Sequence, residues 1–191
     1  MNFKGRGLWF VGLLLLVGCT SIGSLSSKPL ASATDGFTLR VCVMRADVSE
    51  ERVLKLFAAW REELAQHGIK PVISEMIEVD RPGFTALGSF QYLNDEKLGP
   101  NCDRMALLVG RHFGDTVWGV AAMLVGVPEV HGAVDTLTHT RMYLVAATVT
   151  PLHAIFGGAT EGIIHEGYHL IGCGHSTWSA CYSQIEKLKK L

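Results

Sequence analysis

The chain has no surplus of basic charge. Its 17 Lys and Arg stand against 18 Asp and Glu, a formal net charge of −1 in 191 residues. Setting aside residues 1–18, which hold Lys4 and Arg6 and no acid, makes the balance more acidic still. A nucleic-acid surface needs clustered positive charge, so nucleic acid is excluded as a partner. Charged residues are scarce, 18% against 48% hydrophobic, a composition rich enough to bury a core. No internal repeat is visible, and the length suits one domain or one domain with an appendage. No apolar run can span a bilayer as a helix. The most apolar stretch, Leu8 to Val17, falls well short of the ~20 residues required.

What that stretch does resemble is an export signal, with Lys4 and Arg6 before the apolar run. It ends in Leu16-Val17-Gly18-Cys19, which resembles the lipobox of bacterial lipoproteins. The resemblance implies that residues 1–18 are removed and that Cys19 becomes a lipidated N-terminus. The protein would then be anchored to a membrane of the bacterial cell envelope, on its periplasmic or outer face, rather than span it. The alternative is an ordinary secretory signal in which Cys19 is incidental. Residues 19–36, rich in Ser, Ala and Thr after the cysteine, read as a flexible tether, and residues 37–191 as the folded domain.

Five cysteines are an odd number, but without Cys19 four remain: Cys42, Cys102, Cys173 and Cys181. In an exported chain these permit two disulfides in three possible pairings. Cys42–Cys102 and Cys173–Cys181 are favoured, the first between two predicted strands and the second beside a histidine cluster. The alternative is buried thiols.

The hydrophobic pattern predicts an α/β (α+β) fold. Phe37 to Met44 alternates and then turns continuously apolar, a strand. Ser49 to His67 is a helix. Ser49 caps it, Glu50 and Glu51 suit its positive end, and Val53, Leu54, Leu56, Phe57, Trp60 and Leu64 form its apolar stripe. Pro71 to Val79 is a second strand, so the first two should run parallel. Asp80 to Pro100, with two prolines and several glycines, reads as a loop. Met105 to Val109, Trp118 to Val125 and Arg141 to Ala147 read as further strands, with Val127 to Thr140 as loop. Gly157 and Gly158 open onto a helix of about Thr160 to Ile171, and Gln184 to Leu191 forms a terminal helical turn packing Ile185 and Leu188 inward.

The helix that follows Gly158 carries the stretch with chemistry, HEGYHLIGCGH, from His165 to His175. Residues four apart share a helix face, so His165 and His169 point the same way and can reach one zinc ion at ~2.1 Å. Glu166 lies beside the first ligand, where a carboxylate can take a proton from zinc-bound water and pass it to a leaving amine. A continued helix would carry His175 away from the metal. Gly172 supplies the residue that can turn the chain back, and Gly174 adds freedom. Three histidines leave a fourth position for water, the composition of a catalytic rather than a structural zinc.

His165, Glu166, His169, Gly172 and His175 together resemble the H-E-x-x-H-x-x-G-x-x-H consensus of the metzincin zinc metallopeptidases. The resemblance implies a mixed twisted sheet with one antiparallel edge strand, a backing helix, an active-site helix and a short C-terminal subdomain. Trp118 to Val125 would be the edge strand. It implies that His165, His169 and His175 hold one Zn²⁺ per chain, that Glu166 is the catalytic base, and that an extended peptide or protein substrate pairs with the edge strand. The chain departs from the family in having no methionine after Met142, where metzincins place one in a turn under the metal. Cys181 sits where the archaemetzincin branch has a cysteine, but Ser183 and Ser176 stand where that branch has its methionine and another cysteine.

The function expected is therefore a zinc-dependent endopeptidase acting on envelope or extracellular peptides and proteins. The alternative is a non-catalytic zinc-binding envelope lipoprotein that uses the cleft to hold a partner. A weaker third possibility is an amidase acting on a cell-wall peptide with the same zinc chemistry. His131, Asp135 and His139, spaced by four, are either a second metal site or, as expected, a polar loop over the cleft. His112 and His153 are expected to be structural, Arg141 and Asp103 to be surface ions, Trp118 and Trp178 to be core or cleft wall, and Tyr182 either to pack or to lean into the cleft.

Overall fold

A computed structural model of the chain describes residues 36–112, 132–146 and 158–174, together with Ile185, Lys187, Leu188 and Lys190. Five strands and three helices lie within these residues: β1 (Phe37–Ala46), α1 (Glu50–Ala65), β2 (Ile69–Glu78), α2 (Ala86–Asp95), β3 (Arg104–Val109), β4 (Gly132–Val134), β5 (Arg141–Val145) and α3 (Ala159–Leu170). The strands form one mixed sheet in the order β2-β1-β3-β5-β4. β1 runs parallel to β2 and β3, and β3 parallel to β5, while β4 is antiparallel to β5 at the edge.

Alternation along the inner strands splits the core into two layers, because successive side chains of a strand point to opposite faces. Leu39, Val41 and Val43 of β1, Ala106 and Leu108 of β3, and Met142 and Leu144 of β5 face one way. There they meet Val53, Leu56, Phe57, Trp60 and Leu64 of α1 and Ile163, Tyr168 and Leu170 of α3. Met44, Met105, Leu107, Val109 and Tyr143 face the other way, against Leu93 of α2. The second half of β1 and most of β3 are covered on both faces, which is why Val41 to Met44 and Met105 to Val109 are continuously apolar.

α1 begins where Ser49 accepts a hydrogen bond from the Arg52 backbone N–H, as its sequence predicts. Gly68 follows the helix at φ 67 and turns the chain into β2.

Two expectations are corrected. The segment Asp80 to Pro100 is not all loop: it contains α2, capped by Thr85, whose side chain accepts from the Gly88 N–H. Its glycine and single fully buried leucine give a weak helical pattern. What holds it is packing on β5, with Arg141 donating to the carbonyls of Leu93 and Glu96 at its last turn. Likewise Val127 to Thr140 is not all loop: Gly132–Val134 is a strand because it pairs with β5. The antiparallel edge strand described is thus β4, and Trp118 to Val125 lies outside the described residues.

Residues 1–35, with the expected signal, lipid site Cys19 and most of the tether, also lie outside them. Among the described residues no helix is long and apolar enough to cross a membrane. Near the C-terminus, Ile185 and Leu188 are helical; Ile185 is buried in the core and Leu188 packs against it.

Candidate metal centre

α3 lies against α1, β4 and β5 and carries three of the candidate residues. Its first turn is held by Glu161, whose carboxylate accepts from the Gly158 N–H at 2.6 Å. His165 and His169 sit one turn apart with ring centroids 4.7 Å apart and planes at 81°. Their Nε2 atoms converge to 3.2 Å.

The lower end of α3 closes by hydrogen bonds characteristic of a glycine turn. The Gly172 N–H donates to the His169 carbonyl and the Cys173 N–H to the Tyr168 carbonyl, both at 2.9 Å, with Gly172 at φ 91. The turn has a second use. It brings the Cys173 carbonyl within 2.6 Å of His169 Nδ1. A carbonyl only accepts, so Nδ1 carries the proton and Nε2 of the neutral ring is left with a bare lone pair. That is how a metal-binding imidazole is held in one tautomer.

The residues present fit a zinc ion. Two ligands of one tetrahedral zinc at ~2.1 Å stand ~3.4 Å apart, close to the 3.2 Å found here. In the metal-free protein the same approach is tolerable only if His165 Nε2–H donates to the His169 lone pair. A metal would take that proton's place. His165 and His169 are the described residues that could hold it; His175, the third predicted ligand, lies outside the described residues.

Glu166 follows His165 on the helix and is half-buried. Burial raises its carboxyl from the ordinary 4.5 to about 7. Its roof is β4: a Cβ at Gly132 would stand 2.5 Å from Glu166 Cγ and 2.6 Å from Oε1. A dication beside this carboxyl would favour its ionised, proton-accepting form.

The β4 pairing also fixes which backbone groups face outward. The Asp135 N–H donates to the Arg141 carbonyl, and the register alternates from there. Ala133 therefore turns its N–H and C=O toward β5, while those of Gly132 and Val134 face the sheet edge.

Supporting contacts surround the helix. The His139 ring donates through Nδ1 to the His169 carbonyl at 2.8 Å, and Arg104 donates to the Leu170 carbonyl at 3.0 Å. Both meet the negative end of α3. Tyr168, between the two histidines, donates to Glu63 and contacts His67 Nε2, each at 2.9 Å, tying α3 to the end of α1. None of these supports was singled out for such a role from sequence, since nothing local marks a contact between distant segments.

The remaining candidates are dispersed. Asp135 accepts from the Leu137 N–H and the Thr138 hydroxyl within its own turn, and His139 takes positive φ, 53°, to reach α3. Asp135 and His139 thus lie in a polar turn against α3, and His131 lies outside the described residues. Asp103 pairs with Arg40 at the surface, and His112 stacks edge-on to Phe84. Cys42 and Cys102 form a disulfide with Cα atoms 5.6 Å apart. With Glu75 they also make a three-ligand cluster, but sulfurs joined to each other are not thiolates and hold no metal. Cys173 is disulfide-bonded, and Cys181 lies outside the described residues. His153, Tyr182, Trp118 and Trp178 lie outside them too.

No protein-family model matches the chain, and no curated protein matches it. Among solved structures, one similar chain belongs to a chaperone–substrate complex, with 10% identity, a TM-score of 0.50, and coverage of 72% of this chain. This chain spans 24% of that one's length. Another is the archaemetzincin of Methanopyrus kandleri, with 11% identity and a TM-score of 0.50, covering 85% of this chain and 100% of the other. At such identities the likeness is one of fold.

Proposed function

We propose that the chain is a zinc-dependent endopeptidase of the metzincin type, acting on peptides or proteins of the bacterial cell envelope, to which Cys19 anchors it by lipid. The observation that carries this reading is the convergence of His165 and His169 Nε2 at 3.2 Å with Glu166 beside them under the sheet edge. The archaemetzincin-like fold supports it. His165, His169 and His175 would hold the metal. Zinc, when bound, supplies a Lewis acid for a carbonyl and an activated water. The chain's own part is to align and to move a proton. An extended peptide would add to β4 through the outward N–H and C=O groups of Gly132 and Val134. Glu166 would accept a proton at its carboxylate and return it to the leaving amine. The presence of Glu166 favours a catalyst over a metal store, since metal binding alone does not require it.

The test is hydrolysis of a mixed peptide library by the full-length protein in detergent, with zinc measured on the same sample. Cleavage by the parent and none by Glu166→Ala, at equal zinc content, is the result expected. About one zinc per chain with no cleavage by either would instead favour the zinc-binding lipoprotein. The anchor is tested separately: palmitate labelling should be lost in Cys19→Ala, and labelling that persists would remove Cys19 from the proposal.

A further inference from the structure

We infer that Gly132 is a positioning residue for Glu166, fixing the carboxylate beneath the sheet edge by the side chain it lacks. Its catalytic consequence rests on the peptidase reading above, whereas the packing itself does not. The three atoms nearest to a Cβ built on Gly132 all belong to Glu166: Cγ at 2.5 Å, Oε1 at 2.6 Å and Cδ at 2.8 Å. Backbone conformation does not explain the glycine. Gly68, Gly83 and Gly172 take positive φ, and Gly132 does not. Within a strand, glycine weakens pairing and marks a place where another group comes close. The close group here is the one carboxylate of the motif.

Nothing else described holds that carboxylate in place. No hydrogen bond or ion pair to Glu166 exists among the described residues, so among them it is packing that limits its three side-chain torsions. α3 sets where the side chain starts and β4 sets how high it can rise. Gly132 also presents its N–H and C=O to the sheet edge. The segment along which a peptide would align is thus the segment that touches the base. A substrate paired there would be registered against Glu166 through a single residue.

The experiment compares Gly132→Ala, Glu166→Ala and the double variant in the full-length protein. The expected loss in Gly132→Ala is about ten- to a hundredfold in kcat, since a misplacement of ~1 Å at a reacting group can cost ~10²-fold. KM and zinc per chain should change little. Unfolding of the metal-free protein gives the second readout. Gly132→Ala should lower the midpoint by several degrees when Glu166 is present and by far less when residue 166 is alanine, which vacates the space. An equal drop in both backgrounds, or an unchanged kcat, overturns the inference. If Gly132→Ala fails to fold, recovery in the double variant supports the contact and failure there overturns it. If the parent cleaves nothing, the peptidase reading fails while the stability comparison still decides the Gly132–Glu166 contact.

Discussion

The indole of Trp60 occupies the place that a side chain on Gly167 would take. A Cβ there would lie 2.5 Å from Trp60 Cε2 and 2.8 Å from Cδ1, and nearer still to Nε1. Trp60 is fully buried, edge-on to Phe57 with centroids 5.3 Å apart, so it has nowhere to retreat. Its N–H faces α3 with no hydrogen-bond partner among the described residues, which puts close packing ahead of polar satisfaction at this spot.

Gly167→Ala should therefore push α3 off α1. Overpacking of this kind costs about 1–3 kcal/mol. Gly167 lies between His165 and His169, so zinc affinity should fall as well. Trp60→Phe removes the atoms that clash and should restore part of both losses. Urea unfolding of the metal-free protein and a zinc titration measure the two effects.

Gly172→Ala places a Cβ on a residue at φ 91. The cost expected is roughly 1–2 kcal/mol. Gly172→Asn should be milder, because asparagine tolerates this region better. Both variants disturb the turn that brings the Cys173 carbonyl to His169, so zinc affinity should drop in the same order as stability. A stable protein with unchanged zinc affinity would show that the turn does not prepare His169.

The disulfide and the histidines make opposite predictions for metal content. Cys42 and Cys102 are 60 residues apart, and closing such a loop stabilises by roughly 4 kcal/mol in the chain-entropy view. The double variant Cys42→Ser, Cys102→Ser should lose much of that stability and keep its zinc. His165→Ala or His169→Ala should do the reverse, losing zinc with a smaller stability change. Zinc content by mass spectrometry after gel filtration separates the cases, and loss of metal from the serine variant would place it at the cysteine cluster instead.

Asp103 sets part of the acid stability. Its carboxyl accepts from the Arg40 guanidinium and backbone N–H, and this pairing, above all the side-chain hydrogen bond, holds its pKa below the usual 3.8. A group whose folded pKa is depressed stabilises the fold above its unfolded pKa. That contribution is lost as pH falls through the folded value. Asp103→Asn should be less stable than the parent at neutral pH, and the two should converge below about pH 4. Thermal melts across pH 2–7 would reveal it; a gap that persists at low pH would mean the pair acts through packing rather than charge.

Much of the frame was legible because it depends on short-range pattern. β1, α1, β2, β3, β5 and α3 all follow from apolar periodicity and lie within a few residues of where the sequence predicts them. α2 was missed because Gly88 and a single buried leucine give little helical signal, although Thr85 with the Gly88 N–H is a cap that a search for helix starts could find. β4 was missed because three residues carry no periodicity, and Gly132 reads as a loop residue until β5 lies beside it.

By itself the sequence determined the chemistry on offer: two histidines one helical turn apart, a glutamate beside the first, and a glycine able to turn the chain at the helix end. Those are properties of spacing and of backbone freedom, complete within a dozen residues. The tertiary structure alone decided the environment. It set Gly132 over Glu166 and buried that carboxyl until its pKa rose to about 7. It realised the Cys42–Cys102 pairing that the sequence favoured, and it aimed His139 and Arg104 at α3. Burial and close approach depend on segments far apart in the chain, and no local pattern encodes which of them will meet.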